Sequence, residues 1–311
     1  MRECGGGLTR VRREWHFVGS NLERARGVVY SQEIVLTMKL NLGNFRTGCA
    51  LAGVLSLTIC AQAVSEAKHP AGLGHLGAVD SIIEQSVADG NIPGAVLMVG
   101  HDGAVAYRKA YGNRALEPRR EPMTLDTVFD LASLTKVIAT TTAMMQLFEQ
   151  GKVRMNDPVA KYLPEFAQNG KEDITIRQLM THYSGLAPDL DLTTPWEGKN
   201  TAYQLAFVEP PETVPGSGFV YSDINFITLG ALVEKVSGET LDGYTTRHIF
   251  APLKMTRTRF LPPATWRPKI APTQYDENEH MLRGVVHDPT ARRMGGVAGH
   301  AGIFSTGEDL A

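Results

Sequence analysis

The chain has 311 residues, 43% of them apolar, and a formal net charge of -2, which suits a globular protein with room for one large domain or two smaller ones. That charge implies neither a nucleic-acid surface nor an acidic solvating tail. All three cysteines, Cys4, Cys49 and Cys60, precede residue 61, so the body of the chain has none for a disulfide, a thiolate metal site or a cysteine nucleophile.

Residues 1–37 carry six scattered arginines with no clear period and read as a non-native or upstream extension. From Met38 a basic segment with Lys39 and Arg46 leads into an apolar run from Cys49 to Ile59. Ala61-Gln62-Ala63 comes next, so 38–63 has the form of a secretory signal cleaved after Ala63. Export to the periplasm or outside the cell is expected. The apolar run is shorter than the roughly 20 residues a membrane span requires, so no stable span is expected after cleavage. Ile59 stands where a lipid-attachment signal has a small residue, which argues against a lipid on Cys60.

Residues 76 to 89 read as an amphipathic helix with Val79, Ile82, Ile83 and Val87 largely on one face. Pro93 to Val99 and Ala104 to Ala110 are strand-like, joined at His101-Asp102-Gly103, where Asp-Gly tolerates the positive φ of a hairpin turn. Phe129-Asp130-Leu131-Ala132-Ser133-Leu134-Thr135-Lys136 then delivers a serine and a lysine to a helix start. Val137 to Gln150 predicts a mostly buried helix stopped by Gly151. Thr140, Thr141 and Thr142 are weak helix formers in its middle, so packing must hold that turn.

Residues three apart on a helix share a face, so the Ser133 hydroxyl and Lys136 amine can meet. An amine that takes the hydroxyl proton makes serine a nucleophile. Taken alone, Ser-x-x-Lys is short enough to recur by accident, with a solvated lysine one turn on. Farther along, Thr175 to about His182 predicts a helix, and residues of about 152–272 read as a helix-and-loop insertion rich in prolines and turns. Ile227 to Val236 predicts an apolar helix stopped by Ser237-Gly238. Tyr221, just before it, is either a packed aromatic or a phenol acting as general acid or base.

Four stretches occur in order: Ser133-Leu134-Thr135-Lys136, the segment from Thr175 to Leu186, Tyr221-Ser222-Asp223, and the segment from Gly299 to Thr306. From about residue 76 to the end, that order resembles the serine hydrolases of the class C beta-lactamase and D-alanyl-D-alanine carboxypeptidase superfamily, with its related esterases. The resemblance implies an α/β domain, an antiparallel sheet flanked by helices, beside a mainly helical domain, with the site between them. It implies Ser133 as the acylated nucleophile, Lys136 as its proton partner, Tyr221 as the second base or acid, and Asp223 on the substrate. It also implies an oxyanion hole made by the serine's own N–H and one from a late strand, and no cofactor.

Two features depart from the pattern. Asp223 stands where beta-lactamases usually have asparagine, and an ionised carboxylate cannot donate a hydrogen bond to a substrate amide. The family's late Lys-Thr-Gly or His-Thr-Gly strand has no counterpart, since His300-Ala301-Gly302 reads as a glycine-rich turn before a helix opening at Gly307. The chain therefore reads as a fragment without the late sheet strands, with the early hairpin left with an unpaired edge and an uncovered apolar face.

His182, His287 and His300, with Asp288, match no common zinc spacing and read as loop or packed histidines, so no metal is expected. Arg292 and Arg293 either shape the substrate cleft or belong to a solvated loop, and Tyr183 and Trp196 either line the pocket or pack. The expected function is acyl transfer through a Ser133 acyl-enzyme on a beta-lactam, a D-Ala peptide or an ester. The expected partner is a small-molecule or peptidoglycan-derived peptide substrate. The alternative is a non-catalytic penicillin-recognising or cell-wall-binding protein, or an inactive fragment. The sequence does not set an oligomeric state.

Overall fold

The computed structural model describes residues 76–311, so the expected extension at 1–37 and signal at 38–63 lie outside the described residues. Helix α1 (Leu76–Ala88) ends at Gly90, whose φ of 74° needs no Cβ. Strands β1 (Gly94–His101) and β2 (Ala104–Ala115) form the expected hairpin. Asp102 and Gly103 both take left-handed φ, 50° and 75°, at the turn. Asp80 fastens α1 to β2: its carboxylate accepts the Tyr107 hydroxyl at 2.6 Å, the Tyr111 hydroxyl, and the Lys109 ammonium at 3.1 Å. The two tyrosine hydrogen bonds are the main reason that this carboxyl is pulled down to about 2.

Strand β3 (Glu121–Pro122) completes one antiparallel sheet, in the order β1-β2-β3. Strand β4 (Val128–Asp130) begins a second sheet and leads to a π-helical turn over Lys136–Thr141, continued by α2 (Thr142–Glu149). Gly151, at φ 69°, supplies the expected stop. The threonines explain the wide turn. Thr142 donates its hydroxyl to the Val137 carbonyl at 3.1 Å, and Thr140 donates to the distant Gly299 carbonyl at 2.6 Å. The helix is one-sided rather than mostly buried. Ala139, Ala143, Met144 and Leu147 enter the core, while Val137, Met145 and Phe148 face outward.

Helix α3 (Ile176–Met180) starts at a capping box, with Thr175 Oγ1 accepting the Gln178 N–H and the Gln178 side chain accepting the Thr175 N–H. Helix α4 (Lys199–Val208) ends on the fully buried Lys171, whose ammonium donates to the Phe207 carbonyl at 2.7 Å and to that of Glu209. Burial lowers this amine to about 8, and the last carbonyls of the helix are its solvent.

Helix α5 (Asp223–Ser237) begins one turn before the expected Ile227 and closes on Gly238 at φ 74°. Every residue from Ile224 to Val233 is buried, and α5 packs against α2, α3, α4 and the next helix, α6 (Leu241–Thr245). Strand β5 (Arg259–Phe260) falls inside the stretch expected to hold only helix and loop, and α7 (Pro289–Arg293) comes after a long turn-rich segment.

The glycine-rich turn expected at His300-Ala301-Gly302 is present, but an unexpected strand separates it from the helix at Gly307. Ile303–Thr306 is strand β6, the centre of the second sheet in the order β4-β6-β5. All four of its residues are buried, so it lacks the polar alternation of a half-exposed strand, and its glycine-rich approach disguised it. Helix α8 (Gly307–Leu310) then opens where expected, with the Thr306 hydroxyl capping the Asp309 N–H. The apolar face of the hairpin is covered rather than bare: Val96 and Met98 pack with Met123, Leu125 and Phe129, and meet Gly307 of α8. Among the described residues, the outer edge of β1 pairs with no strand, and no helix is long and apolar enough to cross a membrane.

One close crossing fixes how the second sheet meets the helices. Gly299 lies against α5 so tightly that a Cβ there would collide with the Phe226 carbonyl, and Gly230 of α5 would meet the Gly299 Cα at 3.2 Å if it carried one. Gly299→Ala should therefore cost about 3 kcal/mol, the upper end for overpacking, in urea unfolding. Gly218→Ala, where nothing lies within 4 Å of the added carbon, should be near neutral.

Candidate active site

Ser133 lies just beyond β4. Leu131 donates its N–H to the Ile303 carbonyl of β6 at 2.9 Å, and Ala132 takes a left-handed φ of 45°, a strained value for a residue with a Cβ. The chain turns sharply there and leaves Ser133 exposed at the mouth of the helix. Asp130, 5% exposed, braces this turn. One carboxylate oxygen accepts the Ala132 N–H at 2.9 Å and the other accepts the His287 N–H at 2.7 Å. Burial pushes the Asp130 carboxyl up, opposed by those two hydrogen bonds.

The structure brings Ser133 and Lys136 together as the spacing requires, with Lys136 Nζ donating to Ser133 Oγ at 2.8 Å. The Lys136 side chain is only 4% exposed, yet it is well partnered. Nζ donates to the His300 carbonyl at 3.2 Å and sits 2.6 Å from Asp223 Oδ1. The latter is a close ion pair without hydrogen-bond directionality, since Asp223 Oδ1 receives no hydrogen bond. Nζ also lies 4.8 Å from the centre of the Tyr221 ring and 5.9 Å from that of Phe226. All four residues singled out in the sequence, Ser133, Lys136, Tyr221 and Asp223, therefore meet at one ammonium.

Tyr221 and Asp223 are held by the loop that ends α3. Asp223 N–H donates to the Pro188 carbonyl at 2.6 Å, and the Ser222 hydroxyl donates to that of Ala187 at 2.6 Å. His182, at a left-handed φ of 59°, accepts the Ser222 N–H on Nδ1 at 3.1 Å, and its ring stacks on Tyr221 with centroids 4.4 Å apart. With Nδ1 accepting, the imidazole is neutral and its proton is assigned to Nε2. Burial first, and then repulsion from Lys136, lower the pKa of His182, with Asp223 pulling the other way. His182 is a packed histidine, as expected, and it positions Tyr221.

His300 is also packed, with no exposed surface. Its Nε2 meets Asp288 Oδ1 at 2.9 Å, while Nδ1 is buried without a partner. Burial alone would raise the Asp288 carboxyl; the hydrogen bond and charge of His300 outweigh it and bring it below the ordinary range. Asp288 also caps α7 by accepting the Ala291 N–H at 2.7 Å. Asp223, Asp288 and His300 place donor atoms within 4.8 Å of one another, and the cation against this cluster is the Lys136 ammonium.

The remaining candidates separate. Tyr183 meets Phe219 edge-on at 6.1 Å, and Phe219 meets His182, so this aromatic ledge adjoins Tyr221. Trp196 instead packs under the Arg293 guanidinium at 5.5 Å and donates its N–H to the Asp191 carbonyl. Arg292 and Arg293 brace loops, donating to the carbonyls of His287 and Leu192, rather than standing in a solvated loop. Sequence reasoning missed Asp130 and the Asp288–His300 pair. An aspartate inside the apolar run Val128-Phe129-Asp130-Leu131, and the N-cap signature Asp288-Pro289, were the available signals.

The Beta-lactamase family profile matches residues 79–311. The N-acetylmuramyl-L-alanine amidase of Bacillus subtilis (strain 168) is 35% identical over 271 residues, which cover 75% of this chain and 60% of that protein. The chain thus spans less than two thirds of that relative's length. Among solved structures, the octameric penicillin-binding protein homologue from Pyrococcus abyssi superposes with a TM-score of 0.62 at 27% identity, over 76% of this chain and 55% of the other. EstCE1, a hydrolase with promiscuous acyltransferase activity, superposes with a TM-score of 0.62 at 25% identity, over 75% of this chain and 70% of its own.

Because the folded pKa of His182 lies below its unfolded value, its contribution to stability is fully present above about pH 6.5 and is lost as pH falls through the folded value. Thermal melts from pH 7.5 down to 5 should show a falling Tm. His182→Asn, which tolerates the left-handed backbone, should flatten that dependence; an unchanged slope would remove His182 as its source.

Proposed function

The chain belongs to the Beta-lactamase family, and from that premise we propose that it is a serine hydrolase working by acyl transfer, with Ser133 as nucleophile and Lys136 as its proton partner. The observation that carries this reading is the 2.8 Å contact between Ser133 Oγ and Lys136 Nζ at an exposed serine. In its neutral form, Lys136 takes the hydroxyl proton as Ser133 Oγ bonds to the substrate carbonyl carbon. The ammonium so formed lies against Asp223 and the His300 carbonyl, which favour positive charge there. Among the described residues no hydrogen bond engages the Ser133 N–H, which is free to meet the developing oxyanion. Collapse of the tetrahedral species breaks the bond to the leaving group. Tyr221, beside Lys136, is the second acid or base: it gives its hydroxyl proton to the leaving atom and recovers one from the Lys136 ammonium. Water then bonds to the acyl carbon, its proton passes by way of Lys136 to Ser133 Oγ, and the Ser133 ester bond breaks.

The substrate class we propose is a peptidoglycan-derived peptide or its beta-lactam analogue, in keeping with the cell-wall name of the Bacillus relative, with simple esters as surrogate substrates. Activity is proposed for a protein of the relatives' full length, and this chain carries the Ser133 and Lys136 that would perform it. Export by the segment at 38–63 accords with such a substrate.

Intact-mass analysis after treatment with a fluorophosphonate or benzylpenicillin should show one adduct, absent in Ser133→Ala. Lys136→Met should slow acylation by about 10³-fold. No adduct on a protein of the relatives' full length would defeat the reading, and saturable penicillin binding without an adduct would favour a non-catalytic receptor.

A further inference from the structure

We propose that Asp130 is a positioning residue for the acylation step, a carboxylate clamp that fixes the turn carrying Ser133 to the loop supporting Lys136. The proposal rests on the serine hydrolase reading above and adds a residue that touches neither the nucleophile nor its base.

Burying a carboxylate is costly unless its charge is met, and no cation forms an ion pair with Asp130 among the described residues. Its partners are two backbone N–H groups that lie far apart in sequence. One belongs to Ala132, the strained residue immediately before Ser133; the other belongs to His287, 157 residues away. A neutral or apolar side chain would serve strand β4 at less cost, so what the carboxylate supplies is two acceptors aimed at two segments.

The second segment leads straight to the lysine. Asp288, next to His287, holds the His300 ring at 2.9 Å, and the His300 carbonyl receives Lys136 Nζ, which in turn reaches Ser133 Oγ. Hydrogen bonds and short backbone links therefore run in a closed ring from Asp130 through His287, Asp288, His300, Lys136, Ser133 and Ala132 back to Asp130. Within this ring the two halves are joined by two side chains, the Lys136 ammonium and, on the far side from it, the Asp130 carboxylate. The loop is anchored independently nearby, where Arg283 forms a paired hydrogen bond with Glu121 at 3.0 and 2.6 Å. Loss of the Asp130 clamp would therefore let the ring relax locally without freeing the whole segment.

Asp130→Asn is the direct test. Its side chain has one carbonyl oxygen and one NH2 group, so only one of the two N–H donors can be accepted and the other faces a donor. The rate at which a fluorophosphonate labels Ser133 should fall about 100-fold, the scale expected when reacting groups are displaced by about 1 Å. Hydrolysis of p-nitrophenyl acetate should lose kcat with KM within about threefold, because the clamp aligns the groups rather than binding the ester. Hydrogen exchange should quicken in the peptides covering 131–134 and 284–288, and not in α5. Asp130→Glu, which keeps two acceptor oxygens, should recover at least about tenfold of the labelling rate.

Wild-type labelling with an unchanged rate in folded Asp130→Asn overturns the proposal while leaving the function intact. No labelling of the wild-type protein at the relatives' full length defeats the function itself. If neither variant folds by circular dichroism, Asp130 serves the strand alone and the positioning role is wrong.

Discussion

One ammonium group organises this molecule. Lys136 carries its charge into a place where only 4% of the side chain meets water, and a charge so placed must be surrounded by the protein or not be there at all. The chain answers with a hydroxyl, a backbone carbonyl, a carboxylate and an aromatic face, drawn from the helix start, the turn before β6, and the segment that opens α5. Removing any one of these would leave a buried charge short of a partner, so the architecture and the lysine specify one another.

Bringing those segments together demands close backbone approach. Gly299 and Gly230 let the turn before β6 lie directly on α5, and Thr140 reaches across from the helix that follows Ser133 to bond the Gly299 carbonyl. Thr135 accepts the Ile303 N–H at 3.2 Å, joining the same helix to the central strand of the second sheet. The threonines that weaken the helix as a helix are thus its attachments to the rest of the fold. Their hydroxyls do outside the helix what their β-branching prevents inside it.

How much of this is legible in the sequence depends on the range of each interaction. The extent of α1 (though not its expected apolar face, since Ile82 is exposed), the Asp102-Gly103 turn, the Thr175–Gln178 capping box and the Gly238 stop are local, and each leaves its mark in a few adjacent residues. The Ser133–Lys136 pair is legible for the same reason, being one helical turn. Strand β6 is not, since a strand buried on both faces carries no alternation, and its identity depends on β4 and β5 lying on either side. The early start of α5 is hidden because Tyr221-Ser222-Asp223 reads as chemistry before it reads as a helix terminus. Asp130 and His300 act on partners more than 150 residues away, which no local pattern records.

The span of these contacts bears on how the protein matures. The bond from Lys136 to the His300 carbonyl closes a loop of 164 residues, and the one from Thr140 to Gly299 a loop of 159. Closing such loops is entropically unfavourable until the intervening helices have packed, so these links form late, after the body around α5 is in place. A chain still being assembled would hold its serine on a nascent helix beside an unanchored, hydrated lysine, chemically ordinary. The close Ser133–Lys136–His300 geometry is thereby confined to the finished fold.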